Sequence, residues 1–383
     1  MWSKEILARL VAMPTVSRTP NTELIDFATG ILTAAGFTVR HVEAGTGRRN
    51  LFASIGPPNG AGVILSGHTD VVPVAGQTWS SNPFELVERD GLLFGRGTAD
   101  MKGFIACVLG AAHKARHLDL KLPLHIALTC DEEIGCVGVR PLLAVLGAEH
   151  LRAGLCLVGE PTSMAVATSH KGKIAARATC IGRESHSGLS TQGLNAIHLA
   201  TDLVNALRDY QRELLDQADL QELFEIPYST IHVGKIAGGV ALNIVPALCT
   251  VEFEIRNLPN VAADALLARI RDDARKIVAR YADFPEARIE IEETGGYPGL
   301  HTPTHWASDT LAIFDDQNDR IGLSFGSEAG LYREAFGFPT LVCGPGSMDQ
   351  GHKPDEYIAV EQLNRCDAML DRLLQRLTID RPL

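Results

Sequence analysis

Between Val63 and Pro161 short apolar runs alternate with helix-like stretches, and this alternation restricts what the chain can fold into more than any other feature. "GVILSGHTDVV", "LPLHIALTC" and "AGLCLVGEP" read as strands, whereas "KGFIACVLGAAHKARHL" and "GVRPLLAVLG" read as helices. Strands buried on both faces appear as near-continuous apolar runs. The pattern therefore predicts an α/β layer with a mixed, mostly parallel central sheet flanked by helices.

From Lys171 the rhythm changes. "GKIAARATCIG" alternates like a strand with one open face, and "NAIHLATDLVNALRDYQREL" places Ile197, Ala200, Leu203, Val204, Leu207 and Leu214 on one side of a helix. The strands "STIHVGKI" and "ALCTVEFEIRNL", a helix around "DALLARIRDDARKIVARY" and the strand "ARIEIEET" complete the order β-α-β-β-α-β. That is the order of a split βαβ, ferredoxin-like α+β sandwich. After "GGYPGLHTP" the run "PTLVCGPG" and a helix over "VEQLNRCDAMLDRLLQRL" resume the earlier pattern. The expectation is a catalytic domain in two parts, residues 1–172 and 294–383, interrupted by an inserted domain at 173–293. With 383 residues the chain is long enough for two cores.

Composition narrows the function classes. A formal charge of −11, with no long Lys/Arg cluster to offset it, repels a phosphate backbone and argues against nucleic acid as a partner. No apolar run reaches the roughly 20 residues of a membrane span. The start, "MWSKEILARLVAMPTVS", reads as an amphipathic helix and not as a signal peptide. The eight cysteines lie mostly within apolar segments and form no C-x-x-C pair, which suits reduced thiols in a cytoplasmic protein.

Five segments carry acids or imidazoles at or near the ends of apolar runs. In "VILSGHTDVVP" His68 and Asp70, two apart, share a face; His68 reads as a metal ligand and Asp70 as the carboxylate that fixes its tautomer. "GRGTADMKG" sets Asp100 between a Gly-rich turn and a helix, and "LTCDEEIGCVG" aligns Asp131, Glu132 and Glu133. "CLVGEPTS" contributes Glu160, and "CGPGSMDQGHKPDEY" contributes His352. Singly, each has a plainer reading: Asp100 could cap a helix, Glu160 could be a turn acid and His352 an exposed loop residue. Jointly they read as a site, because ligands of open α/β sheets gather beyond the carboxyl ends of strands. Two imidazoles with several carboxylates and no thiol suit zinc or a similar first-row ion. Five candidates suggest two metals sharing a bridging carboxylate.

Together "GHTDVVP", "GRGTADMKG", "DEEIG", "GEPT", "GRESHSG" and "PGSMDQGHKPDEY" resemble, in order from about Leu65 to Tyr357, the two-zinc amidohydrolases that include aminoacylases, zinc carboxypeptidases and succinyl-diaminopimelate desuccinylase. The resemblance implies the interrupted architecture, with the insert serving as a dimerisation (lid) domain. It implies His68, Asp100 and Glu160 around one zinc, and Asp100, Glu133 and His352 around the other, with cobalt or manganese able to substitute. It makes Asp70 the support of His68 and Glu132 the general base. Zinc lowers the pKa of a bound water from 15.7 to about 7, and Glu132 would take that water's proton and return it to the leaving amine.

The same resemblance implies a homodimer in which His186, of "GRESHSG", and Asn243, of "GGVALNIVP", serve the partner's site. Otherwise His186 is a surface histidine and Asn243 a turn residue. The substrate is expected to be a small N-acyl amino acid. Arg256 could grip its α-carboxylate, or instead form a salt bridge within the insert. Ser327 and Glu328, in "SFGSEAGLY", could meet a basic side chain. The motifs fit best the branch that frees L-ornithine and acetate from N2-acetyl-L-ornithine in arginine biosynthesis. N-acetylcitrulline, N-succinyl-diaminopimelate or a dipeptide are the alternatives. A non-catalytic dimeric scaffold is the reading from a different class, but it would be expected to have lost the base or a ligand, and neither is missing.

Overall fold

The computed structural model describes residues 2–216, 222–303, 313–314 and 320–379. They divide into two compact units, the first comprising Met1–Ser169, Leu300–Ile321 and Ser327–Leu383, the second His170–Gly299 and Gly322–Gly326. In chain order the elements before the crossing are α1 (Trp2–Val11), α2 (Thr22–Ala34), β1 (Thr38–Gly45), β2 (Arg48–Ile55), β3 (Gly62–His68), β4 (Val87–Arg89), β5 (Leu92–Phe94), α3 (Gly103–Ala115), β6 (Leu124–Thr129), α4 (Val139–Ala148), β7 (Ala153–Val158) and β8 (Val166–His170). The second unit holds β9 (Gly172–Ile181), α5 (Ala196–Asp216), β10 (Thr230–Gly238), β11 (Leu248–Asn257), α6 (Ala263–Ala279) and β12 (Arg288–Tyr297). Then follow β13 (Leu300–His301), β14 (Arg320–Leu323), α7 (Ala329–Phe336), β15 (Thr340–Val342), β16 (Tyr357–Ala359) and α8 (Val360–Leu377).

The main sheet of the first unit runs β1-β2-β6-β3-β7-β15-β8-β13. Its centre, β6-β3-β7-β15, is parallel, and β1, β2 and β8 join antiparallel. This is the mixed, mostly parallel sheet expected from the apolar runs. Every residue of β3 and of β6 is buried, as a strand covered on both faces requires. On one side α3 is buried along nearly its whole length, packed against α1 and α8. Helix α8 owes its place to spacing: Leu363, Cys366, Met369, Leu370, Leu373, Leu374 and Leu377 fall on one face and are buried.

The second unit has the β-α-β-β-α-β order in a four-stranded antiparallel sheet, β10-β11-β9-β12. In β9 and β11 buried residues alternate with more exposed ones, so one face meets α5 and α6 while the other stays open. This separate antiparallel sheet fits the expected inserted lid domain. No helix among the described residues is long and apolar enough to cross a membrane.

Parallel pairing has one consequence for function. It carries the carboxyl ends of β6, β3, β7 and β15 to the same edge of the sheet, so loops distant in sequence leave side by side.

Within the core, His125 of β6 is buried, stacks on Phe52 with ring centroids 5.4 Å apart, and sets Nδ1 2.7 Å from Ser54 Oγ. Burial holds its pKa down to about 4. A depressed imidazole contributes stability above its ordinary value of 6.5, lost as pH falls through about 4. His125→Gln, which cannot titrate, should therefore lose less stability than the parent between pH 6.5 and 4 in urea titrations. Identical acid sensitivity would contradict this.

Candidate metal centre

Each loop leaving that edge delivers a titratable side chain. His68 ends β3, Asp131 to Glu133 follow β6 and Glu160 follows β7; His352 lies in the loop between β15 and β16. Asp100 enters from the turn before α3. His68 Nε2 lies 3.0 Å from Asp100 Oδ1 and 3.9 Å from Glu160 Oε2. The other Asp100 oxygen, Oδ2, lies 3.2 Å from His352 Nε2, which is 2.9 Å from Glu133 Oε2. Asp100 thus presents one carboxylate oxygen to each imidazole. His68 Nδ1 is 2.9 Å from the Asp70 carbonyl, to which it can donate, so its proton is held on the side away from Asp100.

Two sets of donor atoms could each surround one cation: His68, Glu132 and Glu160, and His68, Asp100 and Glu133. Glu132, expected as a base, therefore also stands within ligand distance of His68 and Glu160. The Oε1 atoms of Glu133 and Glu160 are buried and have no hydrogen-bond partner among the described residues. An unsatisfied buried acceptor costs about 1–3 kcal/mol, more when charged, and a cation is the partner that would remove the cost. The donor set of imidazoles and carboxylates without thiolate suits a first-row divalent ion.

The electrostatics agree with this chemistry. Burial pushes Glu132 up to about 8 and Glu133 up to about 7, and raises Glu160 well above the ordinary carboxyl value. Burial opposes charging of His68 too, but Asp100, Asp70 and Glu160 outweigh it and raise the imidazole's pKa. Hydrogen bonding to the carboxylates of Asp100 and Glu133 raises His352 to about 10. Asp100 is itself held far below the usual carboxyl range, because His352 and His68 overcome its burial.

Supporting groups hold the loops. Asp70 Oδ1 accepts from Glu132 N at 3.0 Å, and Oδ2 from Ser17 Oγ at 2.7 Å and Glu133 N at 3.4 Å. One carboxylate thereby holds Ser17 and the backbone of both Glu132 and Glu133, and its Oδ1 also lies 3.5 Å from His68 Nδ1. Asp131 is buried with φ +54°, accepts from Arg18 N at 2.7 Å and pairs with Arg48. Asn50 closes the same loop, accepting from Cys130 N at 3.1 Å and donating to the Gly138 carbonyl at 2.6 Å. Cys136 Sγ lies 3.1 Å from Glu132 Oε1. Glu356 accepts from the amides of Ala99 at 2.9 Å and Asp100 at 3.1 Å. Sequence reasoning missed Asn50, Arg48, Ser17 and Glu356. Glu356 lies inside the "HKPDEY" motif, yet no local spacing shows that it reaches a turn some 256 residues earlier.

Of the remaining candidates, Glu328 lies close enough to His68 and Glu132 for their charges to interact. Ser327 Oγ accepts from Ala329 N at 3.2 Å at the start of α7, and Glu328 is only 1% exposed, facing the hydroxyls of Thr129 and Ser66. Burial pushes Glu328 up to about 7. Arg256, His186 and Asn243 belong to the second unit. Arg256 Nε is 3.0 Å from Glu254 Oε1, and Nη1 donates to Tyr297 Oη at 2.7 Å. His186 Nδ1 accepts from Gly188 N at 3.0 Å, and the Asn243 carbonyl accepts from Ser187 N at 3.0 Å, so these two candidates adjoin.

Residues 64–376 match the model of peptidase family M20/M25/M40. An acetylornithine deacetylase of Myxococcus xanthus is 36% identical over 373 residues, covering 96% of this chain and 95% of its own. One of Pasteurella multocida is 32% identical over 381 residues, covering 97% and 96%. Among solved structures, an M20 family metallo-carboxypeptidase from Sulfolobus solfataricus superposes with TM-score 0.78 at 16% identity, covering 98% of this chain and 99% of its own. A tripeptidase from Staphylococcus aureus superposes with TM-score 0.76 at 19% identity, covering 98% of both chains. These two likenesses speak to the fold.

Glu132, Glu133 and Glu160 hold protons in the folded protein at pH values where ordinary carboxyls have lost them. Raised pKa values favour the metal-free fold at low pH, and that stability drains away as pH rises through about 7 to 8. Cation binding must displace those protons, so it strengthens over the same range. Zinc added to metal-free protein should raise Tm more at pH 8 than at pH 5.5. An equal gain at both would contradict the assignment.

Proposed function

The chain belongs to the M20/M25/M40 peptidase family and is a hydrolase, and from that premise we propose that it removes the acetyl group from N2-acetyl-L-ornithine, giving L-ornithine and acetate in arginine biosynthesis. The observation that carries the chemical part is the Asp100 carboxylate set between His68 and His352, with Glu132 gathered against His68 and Glu160. The substrate rests on relatives named acetylornithine deacetylase at 32 and 36% identity over nearly the whole chain.

In this reading His68, Asp100 and Glu160 hold one zinc and Asp100, Glu133 and His352 the other, and cobalt or manganese can substitute. When bound, the metals lower the pKa of a water toward 7 and polarise the acyl carbonyl. Glu132 accepts the water's proton on a carboxylate oxygen and returns it to the nitrogen of the leaving amine. Its elevated pKa matches that double duty, since a carboxyl near neutrality both takes and gives a proton. Asp70 keeps the base aimed through the Glu132 amide.

On the second unit, His186 accepts at Nδ1, so its neutral ring carries the proton on Nε2 and has a donor to offer a developing oxyanion. We assign that donation to the site of a partner subunit, with Asn243 alongside. Val240 and Leu242, next to Asn243, are 83% and 101% exposed, and two such apolar side chains favour burial against a second copy. Arg256 is the proposed clamp for the substrate's α-carboxylate, steadied by Glu254 and Tyr297. Ser327 and Glu328 are the proposed groups for its basic side chain.

Zinc- or cobalt-loaded protein should hydrolyse N2-acetylornithine faster than N-acetylcitrulline, N-succinyl-diaminopimelate or dipeptides. Preference for another member of the panel would overturn the substrate and leave the family standing. Glu132→Gln should keep its metal content while kcat falls roughly 10²–10⁴-fold, the usual worth of a general base; undiminished turnover would refute the role. Inactive His186→Ala subunits mixed with inactive Glu132→Gln subunits should regain partial activity. No recovery in verified heterodimers would mean that each subunit works alone.

A further inference from the structure

His352 differs from the other proposed ligands in how it is held. His68, Asp100, Glu133 and Glu160 have side chains at most 8% exposed and are fixed by packing, but the His352 side chain is 46% exposed and stands in an irregular loop at φ +63°. An imidazole so placed is aimed by whatever grips its backbone. Gln77 does so directly, its Nε2 donating to the His352 carbonyl at 2.9 Å, and Arg96 Nη1 reaches the next carbonyl, that of Lys353, at 3.3 Å.

Both grips lead back to Asp100. Arg96 Nη2 donates to Gln77 Oε1 at 2.7 Å, and Arg96 Nη1 pairs with Glu356 Oε2 at 2.7 Å in a fully buried ion pair. Glu356 in turn accepts from the amides of Gly97 at 2.9 Å, Ala99 at 2.9 Å and Asp100 at 3.1 Å. Trp79 covers the assembly, its ring 4.9 Å from the Arg96 guanidinium carbon and its Nε1 donating to Gln77 Oε1 at 3.1 Å. Gln77 spends its acceptor on Arg96 and Trp79 and its donor on His352, so its amide orientation is fully determined.

We infer that Gln77, Arg96 and Glu356 form one positioning network that sets His352 against Asp100, and that Gln77 is the arm of this network controlling occupancy of the metal position to which His352 contributes. The inference rests on the two-metal reading above. Glu356 and Arg96 hold the shared ligand Asp100 and so bear on both positions. Gln77 bonds the His352 carbonyl directly and, among the described residues, reaches the Asp100 turn through Arg96 and Glu356. Loss of its amide frees the exposed imidazole while the His68, Asp100 and Glu160 arrangement stays in place.

The test is calorimetric titration of the full-length, metal-free protein with zinc ions. The parent should bind two, and Gln77→Leu should bind one with parental affinity and the other about 10–100-fold more weakly, the usual effect of losing a group that orients a ligand. The metal-free variant should still melt in one cooperative transition, its Tm lowered only by the loss of the Gln77 acceptor to Arg96 and Trp79. Two parental affinities in the variant, or equal weakening of both, would overturn the inference and leave the two-metal reading intact. A parent that binds a single zinc would overturn both. Gln77→Glu, which keeps the acceptor for Arg96 and loses the donor to His352, is read by the same outcomes if Gln77→Leu does not fold.

Discussion

The structure depends on one shared carboxylate. Asp100 offers an oxygen each to His68 and His352, and neither imidazole is its neighbour in sequence. Holding an ionised acid in a buried position is costly unless every lone pair is used. The protein meets that cost by gathering opposite charge around it and by fastening the loops that carry the charge.

The sheet makes this gathering possible. Parallel pairing of β6, β3, β7 and β15 brings loops separated by scores of residues to one edge, where no helix or strand geometry dictates side-chain direction. Direction is then supplied by polar anchors. Asp70 holds the backbone behind Glu132, Arg48 and Asn50 hold the loop around it, and Glu356 holds the turn of Asp100. Burial first, and neighbouring acids after it, raise the pKa values of Glu132, Glu133 and Glu160, and these crowded buried carboxyls are the feature that calls for divalent cations.

Much of the fold is legible in the sequence, because burial on both faces of β3 and β6, and on one face of β9 and β11, leaves different periodicities. The order of the second unit follows for the same reason. Helix α2 and the β1-β2 pair left no comparable mark, and neither did α7. Of the site, His68, the triplet and Glu160 stand out because charge at the end of an apolar run is unusual, and Asp100 because it sits between a Gly-rich turn and an apolar helix. Gln77, Arg96 and Asn50 do not, since an amide or a guanidinium in a polar stretch looks like surface until its partner arrives from elsewhere in the chain. Asp131 divides from its neighbours only in three dimensions, where a left-handed backbone turns it toward Arg48. Arg256 can be read from sequence as a substrate clamp or as an internal ion pair, and its bonds to Glu254 and Tyr297 are compatible with both roles.

Anomalous diffraction at the zinc edge from crystals of the zinc-loaded protein tests the central claim most directly. Two peaks separated by about 3.5–4 Å, one on each side of the Asp100 carboxylate, are the predicted result. A single peak, or a pair that Asp100 does not bridge, would contradict the account.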